Sequence, residues 1–233
     1  VQIAREIKQE IKDKLNLTAS AGVSVNKFLA KIASDINKPD GLCVIKPNEI
    51  DAFIDELDIT KIFGIGKVTA EKMHKLGIFK GKNLKKRDLS FLIKHFGKQG
   101  TYFYNLARGI DDRPVLPNRE RKSVGAERTF QFDLKNMDEI KHELTRVTKI
   151  LHERLNKTRK KGKTITVKIK FSDFKQITRS KTLENYTNNL NTLQQTAEEL
   201  TFHEILINKE IRLLGVSISN FEGEISKQLT LNL

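Results

Sequence analysis

Two stretches place glycines where a backbone could meet a phosphate. In KIFGIGKVTAEKMHKLGI, residues 61–78, Gly64 and Gly66 flank one apolar residue, with helix-compatible sequence on both sides. Without Cβ atoms the chain can turn tightly there and approach a ligand closely. A helix starting near Lys67 would aim free N–H groups and the positive end of its dipole outward, which is the chemistry that holds phosphate. HFGKQGTY, residues 95–102, repeats the idea: Gly97 and Gly100 bracket Lys98 ahead of a helix. Such sites grip a nucleic-acid backbone whatever its sequence. An ordinary glycine turn between helices leaves the same trace, but two of them in one short helical stretch favour the phosphate reading.

A second pattern is charged. KTITVKIKFSDF, residues 163–174, alternates Ile165, Val167, Ile169 and Phe171 on one face with Thr166, Lys168 and Lys170 on the other. KQITRSKTLEN, residues 175–185, completes a hairpin. Arg179 and Lys181, two apart, are expected to extend the same polar face, with Thr178 and Thr182 adding hydroxyls. An open sheet face of this kind can lie along a duplex and bind phosphates by charge and hydrogen bonds. A merely solvated face has the same composition. KTRKKGK, residues 157–163, adds positive field nearby.

The search for a reaction centre yields less. His74, His95, His142, His152 and His203 show no metal-ligand spacing. There is no Walker loop, no nucleophile elbow and no pair of carboxylates on a strand that would hold two metals. Asp111-Asp112 and Asp55-Glu56 read as helix caps and solvated charge. Composition then narrows the partner. Lys and Arg number 43 against 29 Asp and Glu, a net charge of +14 over 233 residues, which calls for a polyanion. RNA, DNA and an anionic membrane surface all meet that demand. No apolar run approaches the ~20 residues of a membrane helix, so no segment reads as one. The single cysteine, Cys43, excludes an internal disulfide and suits a reducing compartment.

The elements that must position these residues follow from periodicity. Ile3, Ile7, Ile11 and Leu15 form one helical stripe over 2–16. TASAGVSV (18–25) reads as a strand. NKFLAKIASDIN (26–37) reads as a helix capped by Asn26, with Phe28, Leu29, Ile32 and Ile36 buried, and KPDG stops it. Residues 47–112 are purely helical, broken by glycines. DDRPVLPNRERK contains a linker, 113–120. Beyond it the order is strand, long helix (136–159), strand, strand, helix (189–206), strand (211–221): β-α-β-β-α-β, with one sheet face covered by two helices and the other carrying Lys and Arg. The class is α+β.

Taken together, these stretches resemble the Y-family DNA polymerases over essentially the whole chain. LTASAGVSVNKFLAKIASDINKPDG (17–41) is similar to the end of that family's palm. KIFGIGKVTAEKMHKLGI resembles its thumb hairpin, with Phe63 where relatives often carry proline. RKSVGAERTF (121–130) resembles the entry to its little finger. The resemblance implies a palm remnant (1–46), an all-helical thumb with a helix-hairpin-helix (47–112), the linker, a little finger with a four-stranded sheet and two helices (121–225), and a tail (226–233). It implies templated DNA synthesis past damaged bases, without proofreading, in the bacterial cytoplasm at the nucleoid.

In the family three acidic palm residues hold two Mg²⁺ ions for nucleotidyl transfer. Those motifs are expected upstream of the position matching Val1, so this chain is expected to bind primer-template DNA as a monomer and not to polymerise alone. Lys38 matches the palm lysine that meets the incoming dNTP, and is expected to stand as an isolated exposed lysine. Gly64, Gly66, Lys67, Gly97, Lys98 and Gly100 match the backbone-gripping thumb turns. Ser123, Lys163, Thr178, Arg179, Lys181 and Arg212 match phosphate-contacting little-finger positions. Ala126 and Leu213 stand where some relatives have arginine. In SKQLTLNL, Gln228, Leu229, Leu231 and Leu233 match the QLxLxL-type peptide that docks onto the sliding clamp. Two other readings rest on the residues alone: a free-standing helix-hairpin-helix module of a repair or nuclease complex, and an RNA-binding or ribosome-associated protein.

Overall fold

The computed structural model describes residues 1–202 and 209–223. The chain divides into two compact units, Val1–Pro117 and Asn118–Leu233.

The first unit runs α1 (Gln2–Leu15), β1 (Ala21–Val23), α2 (Lys27–Ile36), β2 (Leu42–Val44), α3 (Ile50–Glu56), α4 (Lys67–Lys75), α5 (Gly81–Lys85), α6 (Leu89–Phe96) and α7 (Gln99–Leu106). β1 and β2 pair in parallel, Ala21 opposite Leu42 and Val23 opposite Val44. The second of these strands was not expected, because three residues carry no period and the partner lies across a helix. The first strand is shorter than the expected 18–25. At Gly22 an added Cβ would sit 2.1 Å from the Ala30 carbonyl oxygen, so α2 lies directly over the strand.

α2 begins as its sequence predicts. Asn26 Oδ1 accepts from the Leu29 amide at 3.0 Å. The Asn26 side-chain amide donates to the Gly109 carbonyl at 2.7 Å, and the Phe28 amide donates to Asp111 Oδ2 at 3.0 Å. Asp111, expected as a cap, therefore closes the start of α2 from the far end of the unit. Its carboxylate lies below the usual range because the Arg113 guanidinium bonds it. The buried face is Phe28, Leu29, Ile32 and Ala33, whereas Ile36 is exposed, so the apolar stripe ends one turn earlier than expected. These side chains share one core with Ile54, Met73, Leu92 and Phe103 of the later helices. The α1 stripe does not join it: Ile3, Ile7 and Leu15 are exposed. Burial of α6 against α7 depends on Gly100, where a Cβ would stand 2.4 Å from the Leu92 carbonyl oxygen.

The second unit runs β3 (Ser123–Leu134), α8 (Met137–Thr158), β4 (Gly162–Phe171), β5 (Gln176–Thr187), α9 (Leu190–Phe202) and β6 (Ile211–Phe221). Residues 111–122 ahead of it contain no helix or strand. The four strands lie in the order β3-β6-β4-β5, and every neighbouring pair is antiparallel. This is the α+β arrangement that the β-α-β-β-α-β pattern predicts. α8 buries Ile140, Leu144, Val147, Leu151 and Leu155, spaced four, three, four and four apart, on Ile165, Val167, Ile169, Leu214, Val216 and Ile218 of the sheet. α9 adds Leu193 and Ala197. Buried Thr148 and Thr201 satisfy their hydroxyls on the carbonyls four residues back, Leu144 and Ala197.

Gly100→Ala is expected to destabilise the first unit by about 1–3 kcal/mol through overpacking. Thermal unfolding followed by circular dichroism measures this, and an unchanged midpoint would show that α6 and α7 have room to separate.

Candidate nucleic-acid interface

The first glycine turn is built from its flanks. Asp58 Oδ1 accepts from the Thr60 amide at 2.8 Å and opens a short 3-10 turn, Ile59–Lys61. Ile62 and Ile65 are buried and pin the loop to the core. The Ile65 amide donates to the Ile62 carbonyl at 3.0 Å, and Gly64 between them takes φ 97°, a left-handed conformation suited to glycine. Gly66 caps α4 without any side-chain hydrogen bond, so the first amides of that helix have no side-chain partner. A Cβ at Gly66 would meet nothing within 4 Å, so the backbone is open at this residue. Lys67 and Val68 stand exposed beside them.

The second turn follows the same plan with one exception. Gly97 takes φ 59° and its missing Cβ faces open space; Lys98, exposed, is the N-cap of α7 and also makes no side-chain cap bond. Gly100 differs from the expectation. It lies inside α7, is buried, and its amide donates to the Gly97 carbonyl at 2.9 Å. Helix packing demands this glycine, and its amide is already used, so it has no donor left for a phosphate. Tyr102 of α7 braces the first turn: its hydroxyl donates to the Phe63 carbonyl at 3.4 Å and its ring lies 3.3 Å from where a Gly64 Cβ would be. Lys72 of α4 donates in turn to the His95 carbonyl.

On the second unit the register decides which side chains share a face, since directly opposed residues in an antiparallel pair point the same way. Thr164 opposes Thr182, Thr166 opposes Ser180, Lys168 opposes Thr178 and Lys170 opposes Gln176. β6 brings Leu213, Gly215, Ser217 and Ser219 alongside, and β3 brings Ser123, Gly125 and Glu127. Among the described residues of this unit, no helix lies on this face. Its hydroxyls form a ladder, Thr164 to Thr182 and Thr166 to Ser180, each at 2.9 Å. Lys168 pairs with Glu127 at 2.7 Å, a neutralising partner that strand periodicity alone does not reveal.

Arg179 and Lys181 are not on this face. They oppose Val167 and Ile165, whose side chains are in the core, so they lie on the helix side of the edge strand. Lys181 Nζ bonds Glu199 of α9 at 2.6 Å, which fixes its direction. A period of two separates residues 179 and 181 from 178 and 182; the sequence expectation put all four together and the pleat forbids it. Of the other expected residues, Ser123 lies on the open face opposite Ser219. Lys163 Nζ lies 4.5 Å from the Tyr186 ring centroid. Arg212 falls where the β4–β6 register shifts between Lys170 and Phe171, and Ala126 is buried. Thr166, Ser180, Ser217 and Ser219 complete the open face; strand register is the signal that finds them.

Three family models match in order along the chain: the impB/mucB/samB family over residues 1–35, the IMS family HHH motif over 47–78, and the impB/mucB/samB family C-terminal domain over 121–231. The chain is 47% identical over its whole length to a protein named DNA polymerase IV from Leptospira interrogans, covering 67% of that protein. It is 46% identical over 96% of its length to DNA polymerase IV 2 of Agrobacterium fabrum, covering 62% of it. Among solved structures, a Y-family DNA polymerase chimera superimposes with TM-score 0.77 at 32% identity, over 94% of this chain and 63% of that one. The chain belongs to the Y-family DNA polymerases. It spans about two thirds of the length of these relatives.

The HHH match of this Y-family chain contains the Gly64–Gly66 turn, and the C-terminal match contains the open sheet. A free-standing hairpin module is disfavoured, because the impB/mucB/samB model also matches ahead of the hairpin. Lys38 is exposed but not isolated as expected: Asp35, one turn back on α2, bonds it at 2.5 Å and bonds Lys31 as well. These two lysines hold the Asp35 carboxyl down to about 2. The carboxylates of the described residues do not fit a two-Mg²⁺ centre. Asp35 and Asp111 are spent on lysine, arginine and amide partners, and among the described residues no group of three or more His, Cys, Asp or Glu is disposed to hold a metal. Gln228, Leu229, Leu231 and Leu233 lie outside the described residues, as does His203.

Because the folded-state value is depressed, the Asp35 ion pairs are present above the ordinary aspartate range and are lost as pH falls through about 2. A carbon-detected NMR titration is expected to show that midpoint, and Lys38→Ala to raise it while Lys31 keeps it below the ordinary value. An identical midpoint in Lys38→Ala would show that Lys31 alone sets it.

Proposed function

We propose that this chain is the DNA-gripping portion of a DNA-directed DNA polymerase of the translesion type, and that its open sheet face and glycine turns hold primer-template DNA by the backbone. The observation that carries the reading is the unroofed face of hydroxyls and lysines in register across four strands. Phosphate oxygens accept hydrogen bonds from Ser and Thr and take charge from lysine, and such contacts set position without reading sequence. Gly64, Gly66, Lys67 and Lys98 contribute backbone amides and cations on the first unit, while Gly97, whose amide donates to the Ile93 carbonyl at 2.8 Å, contributes only the clearance of a missing Cβ. Ser123, Lys163, Thr178 and Arg212 contribute on the second, with Arg179 and Lys181 reaching a backbone that follows the β5 edge. In the full-length enzyme Lys38 would meet the triphosphate of the incoming dNTP once Asp35 releases it. Mg²⁺ would supply phosphoryl-charge neutralisation there, through ligands other than the residues described. Action at the nucleoid of the bacterial cytoplasm, as a monomer, belongs to the same proposal; the relatives compared above are bacterial.

The interface is tested by DNA affinity across a salt series. Lys168→Ala with Lys170→Ala is expected to weaken binding to a blunt duplex and to flatten the dependence of log K on log salt by about 1–2, since each lost phosphate contact removes roughly 0.9 from the slope. Arg179→Ala with Lys181→Ala is expected to flatten it less. The reverse ranking would place DNA on the edge strand rather than the open face.

The Gln228, Leu229, Leu231 and Leu233 peptide is proposed to dock a sliding clamp. Alternate leucines of an extended peptide can fill apolar pockets, each worth about 1.5–3 kcal/mol when fully buried. Leu231→Ala with Leu233→Ala should abolish clamp binding in surface plasmon resonance and spare DNA affinity; retained clamp binding would retire the assignment.

A further inference from the structure

The turn joining β4 to β5 breaks a local rule. The Phe171 amide donates to the Lys175 carbonyl at 2.9 Å, and the Phe174 amide donates to the Phe171 carbonyl at 3.0 Å, closing the loop Ser172-Asp173-Phe174. Asp173 Oδ1 accepts from the Lys175 amide at 2.9 Å and tightens it. The last residue of such a three-residue hairpin loop is left-handed, a place usually filled by glycine. Here Phe174 fills it, with φ 64°. A bulky side chain in that region is an outlier, and outliers of this kind persist where the surroundings fix them and concentrate at functional sites. Burial does not account for the choice, since Phe174 is 61% exposed.

Two cations converge on the ring. Lys170 Nζ and the Arg212 guanidinium carbon each lie 4.8 Å from its centroid. Arg212 has a distant acid, Asp133 at 3.9 Å, and among the described residues Lys170 has no carboxylate within 4 Å. Lys170 belongs to the open face, so the ring stands at one end of it. The bases inside a duplex already stack on one another and offer an exposed ring nothing. An unpaired base does offer a free π-face, and rings interleaved with cations are how single strands are bound.

We propose that Phe174, Lys170 and Arg212 form a subsite for an unpaired DNA nucleotide, its base stacked on the ring and its phosphates on the two cations. This rests on the open face being the DNA interface and extends that interface from duplex to single strand.

The chain contains no tryptophan, so Phe174→Trp installs a lone fluorophore at the site. Three DNAs are compared: a blunt duplex, the same duplex with a single-stranded overhang, and one whose overhang carries abasic residues with equal phosphates. Tryptophan emission is expected to be quenched by the base-bearing overhang and not by the other two. Phe174→Gly relieves the left-handed strain and so should fold at least as well. It is expected to lose about five-fold or more of the affinity that the base-bearing overhang adds over the abasic one, with blunt-duplex affinity unchanged. Equal quenching by the abasic overhang, or an undiminished base-dependent gain in Phe174→Gly, would overturn the subsite while leaving the duplex interface standing. Failure of the parent chain to bind the blunt duplex would instead remove the interface reading itself.

Discussion

Two helices cover one face of the four-stranded sheet, no described element of the unit covers the other, and the chemistry of the second unit is sorted by that asymmetry. Side chains alternate across a pleat, so once α8 and α9 claim Ile165, Val167 and Ile169, the intervening Thr164, Thr166, Lys168 and Lys170 must point away. The same constraint passes across the ladder to Thr178, Ser180 and Thr182 and, through β6, to Ser217 and Ser219. Core formation and interface formation are thus one event. A one-residue slip of β4 would bury its lysines and strip the open face of them together.

The first unit presents backbone rather than side chains, and its caps show where. Within it, α2 and α6 begin with an Asn or Asp whose side chain accepts a first-turn amide: Asn26 and Asp88. α1, α3, α4, α5 and α7 have no such cap bond, and of these α4 and α7 start at the two glycine turns, with Gly66 and Lys98 as N-caps. A helix start without a cap leaves donors and dipole charge unanswered at a cost of about 1 kcal/mol. At these two turns the glycine beside the helix start, Gly66 or Gly97, faces open space. Stability is forgone where an anion can take the cap's place.

Much of this was legible in residue spacing. The strand and helix order of the second unit, the Asn26 cap and the start of α4 at Lys67 all follow from local rules. What was not legible depends on partners distant in sequence. β2 exists because α2 returns the chain beside β1, and three residues carry no signal of that. Gly100 has the look of a second phosphate glycine, but its role is set by the Leu92 carbonyl on the neighbouring helix. Arg179 and Lys181 could have been placed correctly by parity alone; charge similarity drew them to the wrong face. Phe174 was invisible as a site because its oddity is a dihedral angle, not a residue pattern.

The composition of the open face also bears on what kind of grip it gives. Lys168 is already neutralised by Glu127, and hydroxyls outnumber free lysines on the strands. Counterion release from a few cations gives affinity that salt can tune, whereas hydroxyl contacts to phosphate contribute direction with little charge. On the proposed reading, an interface built this way would hold a duplex weakly enough per contact to be re-formed one base pair further on, and would read nothing of the bases. Both properties would suit the proposed role, in which the substrate changes position and sequence at every turnover. A face of arginines aimed at base edges would have bound more tightly and to fewer sequences, which a template-directed polymerase cannot use.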